Sequence, residues 1–293
     1  MAIAREAIAA VDPATAIRRH VKLEKGCLIA GPSAYRLDRF ERVFIVGAGK
    51  ASARMACVLE ELLKGRVEAG VVVVKDGHAE QTRIVEVVEA GHPQPDDRGA
   101  QGARKVLEIV SRAGPRDLVV AAMSGGGSAL LPAFPKGIEL TPMRELTGLL
   151  LRSGATINEM NAVRKHLSLI QGGRLAAACN GAAILSLLVS DVVGSPLDVI
   201  ASGPTCPDTT SYSDALDVLA KYGLMNSAPA AAIDHLRRGA AGELPETPKP
   251  GDPIFERVQN LIVADNDLAA EAAVEAATRA GFNAQLVSTR IEG

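Results

Sequence analysis

Several short runs along this chain are apolar at successive positions rather than at alternate ones. They are RVFIVG (42–47), AGVVVVK (69–75), IVEVVEA (84–90), DLVVAAM (117–123), AAILSLLVS (182–190), NLIVAD (260–265) and NAQLVST (283–289). A strand that is apolar on both faces is covered on both sides, as in a parallel sheet sandwiched by helices. Between these runs the pattern shifts to a helical period over 50–64, 97–113, 141–152, 158–170, 174–179, 213–222, 226–238 and 266–281. Strand–helix alternation of this kind predicts an α/β, Rossmann-like layered fold with a mostly parallel sheet. Residues 1–40 read as an N-terminal helical segment, with Asp12 capping a short second helix that opens at Pro13.

The expected organisation follows from composition. Residues 41–238 form the Rossmann-like domain. Residues 239–253, GAAGELPETPKPGDP, are a proline- and glycine-rich linker. Residues 254–293 then supply a βαβ unit too small to bury a sheet alone. It either adds to the first domain or begins a second α/β domain that the chain does not complete; the second placement is the expectation.

Bulk properties exclude several classes. Aromatic residues make up 3% of the 293, tryptophan is absent and formal charge is −2. Neither a stacking platform nor a basic footprint for nucleic acid is present. The longest apolar stretch ends at Asp191, too short to span a bilayer. The N-terminus lacks a signal-peptide core, and Cys27, Cys57, Cys179 and Cys206 are too sparse for a disulfide framework. A cytoplasmic protein is expected, with no membrane partner; a homodimer is left open.

Two glycine-rich turns, one polar helix face and one strand-end aspartate carry the chemistry. VFIVGAGKASARMA (43–56) is not a P-loop: Phe44 replaces the first glycine and Ala51 the magnesium-binding hydroxyl. Nor is it a full dinucleotide fingerprint, because Ser52 replaces the third glycine and Asp76 is a late candidate for a ribose acid. What remains is an anion site, with N–H groups freed by Gly47 and Gly49, a helix N-terminus and the charge of Lys50. In DLVVAAMSGGGSALL, Ser124, Gly125, Gly126, Gly127 and Ser128 follow a buried strand directly, and suit a phosphate-cradling nest. In NEMNAVRKHLSLIQGGRLA, Asn158, Asn161 and Lys165 share a helix face, with Arg164 and His166 beside it; a solvated basic face is the plainer reading for His166. Ser190 and Asp191 end an apolar strand, where open α/β sheets place their ligands, so Asp191 can hold Mg²⁺ or accept a hydroxyl proton. Asp198 and the Ser211–Asp214 pair read as caps, and His20, His78, His92 and His235 form no metal spacing.

VGAGKASARMA, MSGGGSALL, NAVRKHLSLIQGGRLA and SDVVGSPLDVIASGPTCPDTT, in this order and spacing, resemble the glycerate 2-kinase family, some members of which are named hydroxypyruvate reductases. The resemblance implies a two-domain α/β protein with its active site in the cleft, using ATP and a divalent metal such as Mg²⁺ to phosphorylate the 2-hydroxyl of D-glycerate. It implies active-site roles for Lys50 and Asp191, with Ser124–Ser128 as the glycine loop. Asn161, Arg164, Lys165 and Ser190 join them as expected substrate- or phosphate-binding residues. The family continues into a C-terminal domain with its own glycine-rich segment and an active-site arginine. This chain resembles the front two-thirds, so incomplete catalysis is expected. Two other readings stay open: an NAD(P)H-dependent hydroxypyruvate reductase and a non-catalytic sugar-phosphate-binding module.

Overall fold

The structure, a computed structural model, describes residues 1–290. Helices α1 (Ala2–Ala10) and α2 (Pro13–His20) come first. The Asp12 carboxylate accepts from the Thr15 N–H at 2.9 Å, the cap expected from sequence. The rest of the N-terminal segment holds no further α-helix, only a short 3-10 helix at Leu37–Arg39. Strands β1 (Val21–Glu24), β2 (Cys27–Ala30) and β3 (Ser33–Arg36) form a small antiparallel sheet.

The main sheet uses β4 (Val43–Ala48), β5 (Val67–Lys75), β6 (Val85–Ala90), β7 (Leu118–Ser124), β8 (Ala183–Val189) and β9 (Val258–Ala264). Their order is β6-β5-β4-β7-β8-β9, and every pairing is parallel. Helix α3 (Ser52–Leu63) follows β4, and α4 (Asp97–Ser111) follows β6. After β7 come α5 (Gly127–Leu130), α6 (Leu140–Arg152), α7 (Ile157–His166) and α8 (Arg174–Ala178). Helices α9 (Tyr212–Lys221) and α10 (Ala230–Ala240) follow β8, and α11 (Asn266–Arg279) follows β9.

Period-2 side-chain direction explains the unbroken apolar runs. Val43, Ile45, Leu118 and Val120 pack on one face with Ala16, Ile17, Met55 and Leu59 of α2 and α3. Phe44, Val46, Val119 and Ala121 point the other way, into Ala103, Val106 and Val110 of α4. A third cluster belongs to helices alone: Met143, Leu146, Val163, Tyr212, Leu219 and Leu236 join α6, α7, α9 and α10 into a cap.

The cap is tied together by Glu159. Its carboxylate closes a capping box with Thr156 and accepts from Lys221 Nζ at 2.5 Å and Tyr222 Oη at 2.8 Å. The Lys221 ammonium, then the Thr156 N–H and the Tyr222 hydroxyl, hold its pKa down at about 2, against an ordinary 4.5. A carboxylate depressed on folding contributes stability that is present above the unfolded pKa and lost as pH falls through the folded one. Glu159→Gln is therefore expected to flatten the acid limb of melting temperature between pH 4.5 and about 2. Parallel limbs for the two proteins would show that Glu159 carries none of the acid sensitivity.

Strand β9 corrects the expected start of a second domain at 254–293. It hydrogen-bonds to β8 from Ile184↔Val258 onward and becomes the sixth strand of the same sheet. Gln259 on it accepts from Tyr35 Oη at 2.7 Å and donates to the Ala30 carbonyl at 2.9 Å, which docks the small sheet. The strand expected at 283–289 is irregular chain, with Leu286 and Val287 exposed and, among the described residues, no strand paired with it. Residues 239–253 connect α10 to the sheet but are anchored: Thr247 is buried, and Glu246 bonds His166 and the Tyr212 N–H. Helix α11 packs on α1, where Arg279 pairs with Glu6.

Candidate active site

Chain direction across the sheet reverses between β4 and β7. The chain builds outward through β5 and β6, then returns to the other side of β4. In open α/β sheets that switch point, at the carboxyl ends of the strands, is where ligands bind. Lys50 lies just past the end of β4, Ser124–Ser128 at the end of β7, and Ser190–Asp191 after β8. Three of the sequence-selected segments therefore meet at one rim.

Lys50 Nζ stands 3.6 Å from Asp191 Oδ2, and both side chains are open to solvent. His78 Nδ1 contacts the Lys50 carbonyl at 3.0 Å. The two glycine turns are bonded to each other. The N–H groups of Gly49, Lys50 and Ala51 donate to Val73 O, Gly125 O and Ser124 Oγ at 3.1, 3.0 and 3.0 Å. The expected nest of free N–H groups is thus absent from the GAGK turn, whose charge is carried by the Lys50 ammonium. In the second loop the N–H groups of Gly126 and Gly127 meet no protein acceptor among the described residues.

Packing explains the run of three glycines. A Cβ on Gly125 would lie 2.0 Å from Asp191 Oδ2, so the carboxylate rests against bare backbone. Gly126 has φ +90°, and a Cβ there would meet the His92 ring at 2.8 Å. Sequence reasoning passed over His92. It follows β6 at the same strand-end level as the chosen residues, and that placement was the signal. Burial, then the charges of Lys50 and Lys75, lower its pKa and favour the neutral ring.

Other expectations are redistributed. Asn158 is exposed, whereas Asn161 and Lys165 are buried. Asn161 Oδ1 accepts from Ser202 Oγ at 3.2 Å, and Ser202 Oγ lies 2.8 Å from Ser128 Oγ. Lys165 Nζ sits between Asp208 Oδ1 at 3.3 Å and Asp198 Oδ2 at 3.4 Å, which makes it a buried ion-pair partner and removes Asp198 from the cap expected of it. His166 is fully buried, not solvated, with Nε2 2.8 Å from Glu246 and Nδ1 2.7 Å from the Ala162 carbonyl. Ser190 Oγ accepts from the Val192 N–H at 3.2 Å, closing the turn after β8. The Ser211–Asp214 capping box is present and purely structural. Arg164 leaves this group and lines a neighbouring cavity shared with His92, Gly126 and Ser128. Asp76, the candidate ribose acid, is held by both terminal nitrogens of Arg98 at 2.7 and 2.8 Å.

Among the described residues no group of three or more His, Cys, Asp or Glu side chains could hold a metal. No helix there is long and apolar enough to cross a membrane.

The chain is similar to glycerate kinases over nearly its whole length. The glycerate 2-kinase of Pyrococcus horikoshii is 40% identical over 288 residues, covering 98% of this chain and 64% of its own length. The crystal structure of a glycerate kinase from Thermotoga maritima superposes with a TM-score of 0.81 at 36% identity, covering 97% of this chain and 63% of that one. An Agrobacterium vitis protein whose name includes hydroxypyruvate reductase is 42% identical over 252 residues, 86% of this chain and 55% of its own. The chain thus spans less than two-thirds of the length of these relatives. Residues 1–237 match the family model described as Domain of unknown function (DUF4147), and the chain belongs to that family.

Proposed function

We propose that this chain carries the strand-end half of the active site of an ATP-dependent D-glycerate 2-kinase. The observation that supports it most is the Lys50–Asp191 pair, 3.6 Å apart at the switch point of the sheet and flanked by the triple-glycine loop. Phosphoryl transfer needs positioning and charge stabilisation more than covalent help. The glycerate hydroxyl oxygen bonds to the γ-phosphorus, the bond to the bridging β-oxygen breaks, and ADP leaves. Lys50 offsets charge on the transferring group, and the free Gly126 and Gly127 N–H groups bind phosphate oxygens.

A lone exposed carboxylate fits magnesium better than a zinc-like ion, because Mg²⁺ is commonly held by one or two carboxylates together with substrate phosphates. Asp191 would be its protein ligand, and the ion would neutralise phosphate charge. Alternatively Asp191 takes the hydroxyl proton. The Mg²⁺ dependence of Asp191→Asn separates these roles: a shifted dependence marks a ligand, an unchanged one with low turnover marks a base. The reductase reading has less support, since Arg98 occupies Asp76 and Ser52 replaces the third glycine.

The test is ³¹P NMR of the protein with Mg-ATP and D-glycerate, followed over time. A new phosphomonoester signal matched by ADP is expected. If no such signal forms even after the chain is extended to its relatives' full length, the kinase reading fails.

A further inference from the structure

Beside the Lys50–Asp191 rim lies a cavity of about 250 Å³. Pocket volumes for drug-sized ligands start near ~300 Å³, so this space suits a small molecule and not a nucleotide. One wall is apolar, with Leu131, Pro132, Phe134 and Met143. The polar wall is Ser128, Arg164, Ser168 and Gln171, and His92 closes one end against Gly126.

The polar wall has needs that the protein does not meet. Arg164 is half-buried and makes no ion pair among the described residues, and burial lowers its pKa. A partly desolvated guanidinium with no partner calls for an anion. Gln171 is 6% exposed; its Nε2 donates to the Ser128 carbonyl at 3.3 Å, which fixes the amide's orientation and leaves Oε1 buried without a partner. A bare acceptor calls for a donor. Ser128 Oγ lies 2.8 Å from Ser202 Oγ and either hydroxyl can donate to the other, so Ser128 offers the cavity a donor or an acceptor. One unpaired cation and one bare acceptor together specify a ligand that is both an anion and a hydroxyl donor.

We propose that this cavity seats the small hydroxy acid substrate, with its carboxylate on Arg164 and a hydroxyl donating to Gln171 Oε1. The proposal rests on the glycerate reading and deepens it. The acid is held on the Gly126 side of the loop, while Asp191 rests on adjacent Gly125, so the nucleotide is left to the open rim. The second hydroxyl is left free to face the rim and the transferring phosphoryl group. A simple carboxylic acid without hydroxyls leaves Gln171 Oε1 unmet and binds weakly.

The experiment is titration calorimetry with D-glycerate, propionate and glycerol, on the wild-type protein and on Arg164→Met and Gln171→Met. Wild type is expected to bind glycerate and to bind propionate and glycerol at least tenfold more weakly. Arg164→Met should lose more than tenfold in glycerate affinity while its ligand-free melting temperature holds or rises, because the guanidinium has no partner to lose. Gln171→Met should weaken glycerate binding and spare propionate. Should Arg164→Met misfold, Arg164→Lys, which keeps the charge but not the fork, should still bind glycerate more weakly. Undiminished glycerate binding by the folded Arg164 variant would overturn the cavity assignment and leave the kinase reading standing. A wild-type protein that binds no glycerate, with or without Mg-ATP and also when extended to its relatives' full length, would overturn both.

Discussion

Lys50→Met is expected to lower the rate of glycerate phosphorylation by roughly 10²–10³-fold, the usual cost of removing a preorganised charge from developing negative charge. Its melting temperature should hardly move. Lys50 and Asp191 are 42% and 56% exposed, and exposed ion pairs contribute only about 0–1 kcal/mol to stability. Methionine keeps the length and apolar stem of lysine. The turn itself survives, because its N–H groups bond to Val73, Gly125 and Ser124 without help from the ammonium. Steady-state turnover and a thermal melt on the same preparation check both halves. Undiminished turnover would remove Lys50 from the mechanism; a collapsed melt would make it a structural residue.

Asp208→Ala should do the reverse and damage stability. Asp208 is fully buried and faces Lys165, itself 3% exposed. Burial alone would raise the Asp208 pKa, but the Lys165 charge and the Thr210 N–H and hydroxyl outweigh it and hold it below the usual carboxylate range. Its carboxylate also accepts from Thr247 at 3.0 Å, which links the segment after α10 to the cap. Deleting Asp208 leaves the buried Lys165 ammonium only the half-exposed Asp198 at 3.4 Å, which largely strands its charge, at a cost of about 3–5 kcal/mol. At ~2–4 °C per kcal/mol for a chain of this class, the melting temperature should fall on the order of 10 °C. Lys165→Met added to Asp208→Ala should recover part of that loss, since no charge is then stranded. A double mutant no more stable than Asp208→Ala would show that the pair is not the source of the effect.

Most of the main sheet could be read from the chain, because a parallel strand buried on both faces is apolar throughout. The small antiparallel sheet was missed for the opposite reason. VKLEKGCLIAGPSAYR contains strands of only four residues, whose polar faces hid them. Its turn signals were present, with Lys25 and Gly26 at positive φ, the geometry of a tight hairpin. NAQLVST was misread because apolar composition does not supply a neighbouring strand.

At the site, Lys50, Asp191 and the glycine loop were legible because strand ends mark ligand crevices. Lys165 and His166 were not. Their environment is set by Asp208 and Glu246, 43 and 80 residues onward, and no local pattern reveals that a helical lysine will be buried against a distant acid. The roles of the glycines were equally hidden: spacing suggested a nest, whereas Gly125 and Gly126 leave room for Asp191 and His92.

The pairing of α1 with α11 bears on how the molecule is made. None of the α1 residues is fully buried, and its packing partner is the last helix of the described chain. On a ribosome adding ~5–20 residues per second, α1 emerges roughly 15–50 s before α11 exists. During that interval its apolar side lacks its main packing partner, and a nine-residue helix is too short to persist alone. Helix α1 is therefore made long before its main packing partner and is among the last of the described elements to settle.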